Sequence, residues 1–230
     1  DRWLGKVFDA LDDLKLWEET LVILTTDHGT WNGDHGRMGK LGTHQYDGCS
    51  HIPFIACHPT EGHGERRKQL IQLVDLYPTI LESVGRPLPP RNESKPLHGV
   101  NLLPLFGDAY SPTRDCALMG MFGKSVSITD GEWTLHQSPV ANNQPLYWQG
   151  YHLARFINYD LGPFSEGRRP VKNCKSWDEP TSLHYRRDDP SESMNISHRE
   201  PEQLLRMQTL LRDELVRLRA PEWQIKRLGV

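Results

Sequence analysis

The chain has 230 residues, 27 Lys and Arg against 30 Asp and Glu, a formal net charge of −3 and 37% hydrophobic residues. That length supports one large domain or a domain with an appendage, and the near-balanced charge gives no basic field, so no nucleic-acid partner is expected. No apolar run approaches the roughly 20 residues that span a bilayer, so no membrane partner is expected either, and the first residues lack a signal-peptide pattern.

Leu4, Val7, Leu11 and Leu14 recur at helical spacing and predict an amphipathic helix ending near Trp17, its apolar face on a sheet. Thr20 to Thr26 is a β-branched, apolar run that predicts a buried strand, and Ile52 to Ala56 predicts a second. The Gly- and His-rich stretch of about 25 residues between them exceeds an ordinary connection and is expected to be functional. Asp75 is placed to cap a helix running to Val84, with Pro78 in its first turn and Gly85 ending it. Ser125 to Thr129 and Trp133 to Gln137, joined by Asp130-Gly131, predict a small antiparallel sheet. The Pro-, Gly-, Tyr- and Trp-rich stretch from Asn142 to Pro190 predicts long ordered loops. Leu204, Met207, Leu211, Leu215 and Leu218 predict a last helix, with Pro201 at its start and Pro221 past its end. Cys49, Cys57, Cys116 and Cys174 have no CxxC spacing and read as buried thiols, with one disulfide left open.

The chemistry concentrates where the first strand ends. Asp27 and His28 place an oxygen and an imidazole at the edge of a sheet, where ligand sites of α/β proteins lie. Such a pair suits calcium, manganese or zinc once further carboxylates join it. The plain alternative is a turn cap beside a satisfied histidine. Lys40, thirteen positions after Asp27, supplies a point charge for an anion held by that metal, the equipment of phosphoryl or sulfuryl transfer. His35, within Gly33-Asp34-His35-Gly36, either approaches a substrate or serves a tight turn. His44 and Tyr46 share the loop and are candidates to contact the organic part of a substrate, whereas His51 is assigned a structural hydrogen bond. Trp133, Trp148, Trp177, Tyr147, Tyr151 and Tyr159 read either as core or as sugar-stacking surfaces. Asn195-Ile-Ser197 fits a glycosylation acceptor.

Taken in order, Asp27-His-Gly29, Gly33-Asp-His-Gly36, Gly39-Lys40 and His51-Ile-Pro-Phe-Ile55 resemble the second-half signature of the sulfatases, within the alkaline phosphatase superfamily. The likeness extends to Leu11 to Trp17, Val74 to Leu81 with Gly85, Leu97 to Leu105, Asp130 to Thr134, and Leu183 to Glu192. The resemblance implies an α/β fold, the C-terminal part of an alkaline-phosphatase-like α/β/α sandwich over residues 1–115. A small subdomain over 116–230 would follow, with an antiparallel sheet, loops and a packing helix. It implies a sulfuric ester hydrolase acting on a small-molecule or saccharide sulfate ester, with Asp27 and His28 holding a divalent metal, most readily Ca2+. Lys40 would contact the sulfate, and a periplasmic, lysosomal or secreted location is implied too. The family's nucleophile motif, Cys or Ser followed by x-Pro-x-Arg, is absent, as is its early Asp-Asp pair. A formylglycine nucleophile is therefore expected in sequence before Asp1, and this chain is expected to be inactive alone. Rival readings are a phosphonate monoester or phosphodiester hydrolase, and a non-catalytic module retaining the fold. Oligomeric state is left open.

Overall fold

The computed structural model of the chain describes residues 1–39, 44–61, 64–89, 97–120, 124–141, 146–149, 168–171 and 179–230. Helix α1 (Arg2–Asp13) forms as its spacing predicts, and Trp17 folds back on it, the indole N–H donating to Asp12 Oδ1 at 2.7 Å. Its apolar stripe does not lie on a sheet: α1 buries no residue, and Trp3, Val7 and Leu14 are exposed. The reason is the width of the platform. Strand β1 (Val22–Thr25) pairs antiparallel with one neighbour, and a two-stranded ribbon offers little surface to cover a helix. For the same reason β1 is half-buried along its length rather than fully buried.

The stretch after β1 is structured. Strands β2 (Trp31–Asn32) and β3 (Met38–Gly39) form a hairpin around a tight turn at Asp34–Gly36. A single helical turn, α2 (Asp47–Ser50), leads into β4 (Phe54–Cys57), whose register on β1 pairs Val22 with Cys57 and Thr25 with Phe54. Helix α3 (Leu76–Ser83) ends at Gly85, which takes φ 64°, as expected. Asp75, however, does not cap it. The Asp75 carboxylate turns back to the N–H of Gln72 at 2.7 Å, and also takes the N–H of Val100 at 2.9 Å and the Arg114 guanidinium, so it joins three segments while fully buried. A short helix α4 (Pro104–Gly107) follows.

Strands β5 (Ala117–Gly120), β6 (Val126–Thr129) and β7 (Trp133–Gln137) form the expected antiparallel sheet, turned at Gly131 with φ 91°. Strands β8 (Leu146–Gln149) and β9 (Arg168–Val171) pair with each other. The fourth strand of the larger sheet, β10 (Ser182–Tyr185), lies against β7. The stretch from Asn142 to Pro190 therefore contributes three strands where loops were expected. Alternation divides this sheet. Ile128, Leu135 and Leu183 stand in register on one side and pack against Met207, Leu211 and Leu215 of α5 (Pro201–Arg217). Ser127, His136 and Ser182, with Thr134 and His184, stand on the other side and are equally buried. Pro201 opens α5 as predicted, but Pro221 opens a further helix, α6 (Glu222–Leu228), which adds Leu228 to the apolar core.

Cys49 and Cys116 are buried free thiols and Cys57 is a half-buried one; Cys174 lies outside the described residues. Among the described residues no helix is long and apolar enough to cross a membrane.

Leu211 is completely buried under the sheet. Leu211→Asp should therefore cost about 3 kcal/mol or more, because it buries an unpaired charge. Urea unfolding followed by circular dichroism measures this, and a midpoint equal to the wild-type value would mean that the stripe faces no core.

Candidate metal centre at the end of the first strand

Where β1 ends, Thr26 turns the chain, its hydroxyl within 3.3 Å of both Asp27 Oδ1 and the His28 carbonyl oxygen. The His28 N–H donates to Asp27 Oδ1 at 3.0 Å. His28 Nδ1 lies 2.8 Å from the Gly29 carbonyl oxygen, so this nitrogen carries a proton, and in the neutral ring Nε2 has the lone pair. That Nε2 faces Asp27 Oδ2 at 3.3 Å. Two adjacent residues that would diverge on a regular strand thus converge beyond its end. Slight desolvation works to raise the Asp27 carboxyl, but the His28 imidazole and the backbone N–H groups outweigh it and hold the group below its ordinary range.

Glycine is required beside this turn. The Gly29 N–H donates to the Cys49 carbonyl at 2.9 Å, and a Cβ on Gly29 would overlap the Gly48 carbonyl oxygen. The turn therefore rests on the backbone of α2. Helix α2 is held in turn by residues from beyond β10. The Asp47 N–H donates to Glu192 Oε2 at 2.8 Å, and the Asp47 carboxylate pairs with Arg186 at 2.5 Å. Arg37 pairs with Glu179 on the same side.

The other predicted residues are distributed unevenly. His35 sits in the Asp34–Gly36 turn with φ 51°, stacks on Tyr46 at 3.8 Å and donates from Nε2 to the Ser191 carbonyl at 2.9 Å. His44 is not open to a substrate: it is 1% exposed, with Nδ1 2.8 Å from Ser125 Oγ and Nε2 2.9 Å from the Pro180 carbonyl. It stacks on His136 at 4.9 Å, and Tyr46 lies 4.6 Å from His136 and 6.0 Å from His184. His51 is exposed, Nδ1 3.3 Å from Asp47 Oδ2. Lys40 lies outside the described residues, as do Tyr151, Tyr159 and Trp177 and the side chains of Tyr147 and Trp148. Trp133 packs with Tyr185 at 4.8 Å against the helical core, which is a filling role. Asn195 accepts the Leu183 N–H at 3.2 Å and donates to the Thr181 carbonyl at 3.1 Å, so its amide fastens β10.

Burial shapes the charges beneath the loop. It pushes His44 down to about 3, with His136 adding to the effect, and lowers His184 as well. Glu192 also suffers desolvation, which would raise it, yet His136, Thr134 and the Asp47 N–H keep it below the usual carboxylate range. Asp189, opposed by desolvation too, is held at about 2 by the N–H groups of Met194 and Ser193. Glu192, Arg186 and Glu179 were not picked out from sequence; the one signal was the charge-dense stretch Arg186 to Glu192.

Among the described residues no group of three or more His, Cys, Asp and Glu gathers as a metal-holding cluster. Asp27 and His28 nevertheless fit a divalent ion as a pair, because 3.3 Å is a separation at which two donors share one cation with metal–ligand bonds of about 2.3 Å.

The fold is of the alkaline-phosphatase-like α/β class. A protein solved in complex with its substrate D-glucosamine-2-N,6-O-disulfate superposes with a TM-score of 0.67 at 17% identity, over 95% of this chain and 38% of that one. A phosphonate monoester hydrolase from Silicibacter pomeroyi does so with a TM-score of 0.63 at 20% identity, over 93% and 38%. Likenesses this remote show the fold alone. Sequence narrows the class: residues 1–85 match the Sulfatase family profile. Arylsulfatase K of Xenopus laevis is 36% identical over 105 residues, 46% of this chain and 18% of that protein. Human arylsulfatase K is 34% identical over 110 residues, 48% of this chain and 19% of that protein. The chain thus matches about a fifth of the length of these relatives.

Two predictions follow from this geometry. Gly29→Ala should cost about 2 kcal/mol or more in urea unfolding, since backbone must move, whereas Gly5→Ala, with open space around it in α1, should be neutral or stabilising by up to about 1 kcal/mol. Equal midpoints for the two variants would show that the turn does not need its close approach. For acid, the sign follows from His44. Its folded value of about 3 lies below the ordinary 6.5, so the unfolded chain binds the extra proton between them. Stability is complete above about 6.5 and is lost as pH falls towards 3. Melting temperatures between pH 7 and 4 should decline in the wild type and less steeply in His44→Asn; parallel slopes would remove His44 as the cause.

Proposed function

We propose that this chain forms part of a sulfatase that hydrolyses organic sulfate monoesters, with Asp27 and His28 as ligands of a divalent metal. The observation that carries the reading is the convergence of Asp27 Oδ2 and His28 Nε2 at the end of β1, in a segment that matches the Sulfatase family. The lowered pKa of Asp27 keeps its carboxylate ionised through neutral and mildly acid pH, as ligation requires. The proton on His28 Nδ1 is committed to the Gly29 carbonyl, which leaves Nε2 to bind. A bound cation supplies Lewis-acid stabilisation of sulfate oxygens. Ca2+ is the ion we favour, because the family site is completed by carboxylates and hard oxygen ligands suit calcium.

Lys40 would bring a fixed positive charge to the sulfate and to the leaving oxygen as the S–O bond breaks. Attack on sulfur has no assigned residue among the 230, which contain no Cys or Ser followed by x-Pro-x-Arg. The formylglycine of the family is accordingly sought in sequence before Asp1. A carbohydrate sulfate is the favoured substrate class, supported by the superposition on a protein whose own substrate is a glucosamine disulfate. A second reading, phosphonate monoester hydrolysis, is favoured by the fold shared with the Silicibacter enzyme.

The test uses the protein expressed with whatever sequence precedes Asp1 in its reading frame. Asp27→Ala and His28→Ala should each lower bound metal, read by elemental analysis, and abolish nitrophenyl sulfate hydrolysis. Lys40→Ala should keep its metal and lose roughly 10² in kcat/KM, about 2.7 kcal/mol. Full metal content and activity in the first two variants would refute the ligand assignment, and faster turnover of phenylphosphonate than of the sulfate would move the assignment to the second reading.

A further inference from the structure

The Asp27–His28 turn leans on α2 through the Gly29 N–H bond to the Cys49 carbonyl, and α2 is anchored by groups more than a hundred residues later in the chain. The anchor is unusual in its chemistry. Glu192 is 1% exposed, yet it is a charged side chain on the polar side of the sheet. Its Oε2 takes the Asp47 N–H at 2.8 Å and faces His136 Nε2 at 3.4 Å, and its Oε1 faces Arg186 at 3.5 Å. Arg186 in turn holds the Asp47 side chain. Burying a carboxylate is costly unless every oxygen is used, and the opposite side of the same sheet shows that an apolar filler would serve packing alone. What an apolar residue would not do is receive a backbone N–H at one defined point.

We propose that Glu192 is a positioning residue for the candidate metal centre: by fixing the first residue of α2 it fixes the Cys49 carbonyl, and through Gly29 the approach of Asp27 to His28. This deepens the sulfatase reading and rests on it only where metal is concerned. Its neighbours make it specific. Arg186 cannot substitute, because it touches the Asp47 side chain and not the backbone, and Arg37 pairs with Glu179 instead.

The decisive experiment is amide hydrogen exchange on the protein expressed with whatever sequence precedes Asp1 in its reading frame, read residue by residue by NMR. Glu192→Gln keeps an oxygen for the Asp47 N–H and gives up the charge towards Arg186 and His136, whereas Glu192→Ala gives up both. The Asp47 and Gly29 amides should exchange at least about tenfold faster in the alanine variant and less so in the glutamine variant, while the Ile128 and Leu135 amides of the sheet keep their protection. Unchanged Gly29 exchange would overturn the proposal, and so would an equal loss at Gly29 and Leu135, the mark of general destabilisation. If the alanine variant does not fold, Glu192→Gln combined with Arg186→Ala is judged on the same amides. Titration with Mn2+, followed by broadening of the Gly29 resonance, should show an affinity about tenfold weaker in Glu192→Gln than in wild type. Failure of that wild-type protein to bind Mn2+ counts against the ligand assignment of Asp27 and His28, and the exchange rates still decide the positioning role.

Discussion

Because successive side chains of a strand point to opposite sides, Leu135 and His136 inhabit different surroundings although they are covalent neighbours. In β6, β7 and β10 this alternation runs in register, so one small sheet presents a hydrocarbon layer to α5 and a polar layer to the loop after β1. The hydrocarbon layer supplies stability in the ordinary way, by removing leucine, isoleucine and methionine from water. The polar layer has no such gain and must justify its burial by pairing. It does so with imidazoles against carboxylates and hydroxyls: His136 against Ser127 and Glu192, His184 against Ser182 and Asp189, His44 against Ser125.

That division explains why the end of β1 can be so lightly built. Asp27 is exposed and β1 is a strand of a narrow ribbon, so neither its sheet nor α1 provides a rigid mounting. Rigidity is imported instead through backbone groups, Gly29 to Cys49 and Asp47 to Glu192, from the part of the described residues that packs on the apolar core. Backbone hydrogen bonds suit this purpose because they define direction as well as distance.

The elements read correctly in sequence were those whose determinants are local. Trp133 to Gln137 alternates, Asp130-Gly131 has the chemistry of its turn, and Met207, Leu211 and Leu215 recur at helical spacing, so each was visible within a short window. Asp75 was misread because a carboxylate before a helix has a default partner, and the partners actually taken, Val100 and Arg114, lie far away in sequence. Within the site, Asp27 and His28 were singled out because a strand ends abruptly in two ligand types, and the structure brings their side chains to 3.3 Å. Glu192 was not, since nothing near it in sequence foretells that its carboxylate will meet the Asp47 N–H, 145 positions earlier.

That separation of 145 positions has a consequence for biosynthesis. A ribosome adding about 5–20 residues per second needs roughly 7–29 s to travel from Asp47 to Glu192. Throughout that interval the nascent chain carries its acid–imidazole turn without the anchor that orients it, and β7 still lacks β10. On the ligand assignment proposed above, an ion would meet Asp27 and His28 in their anchored arrangement only once Glu192 has been synthesised.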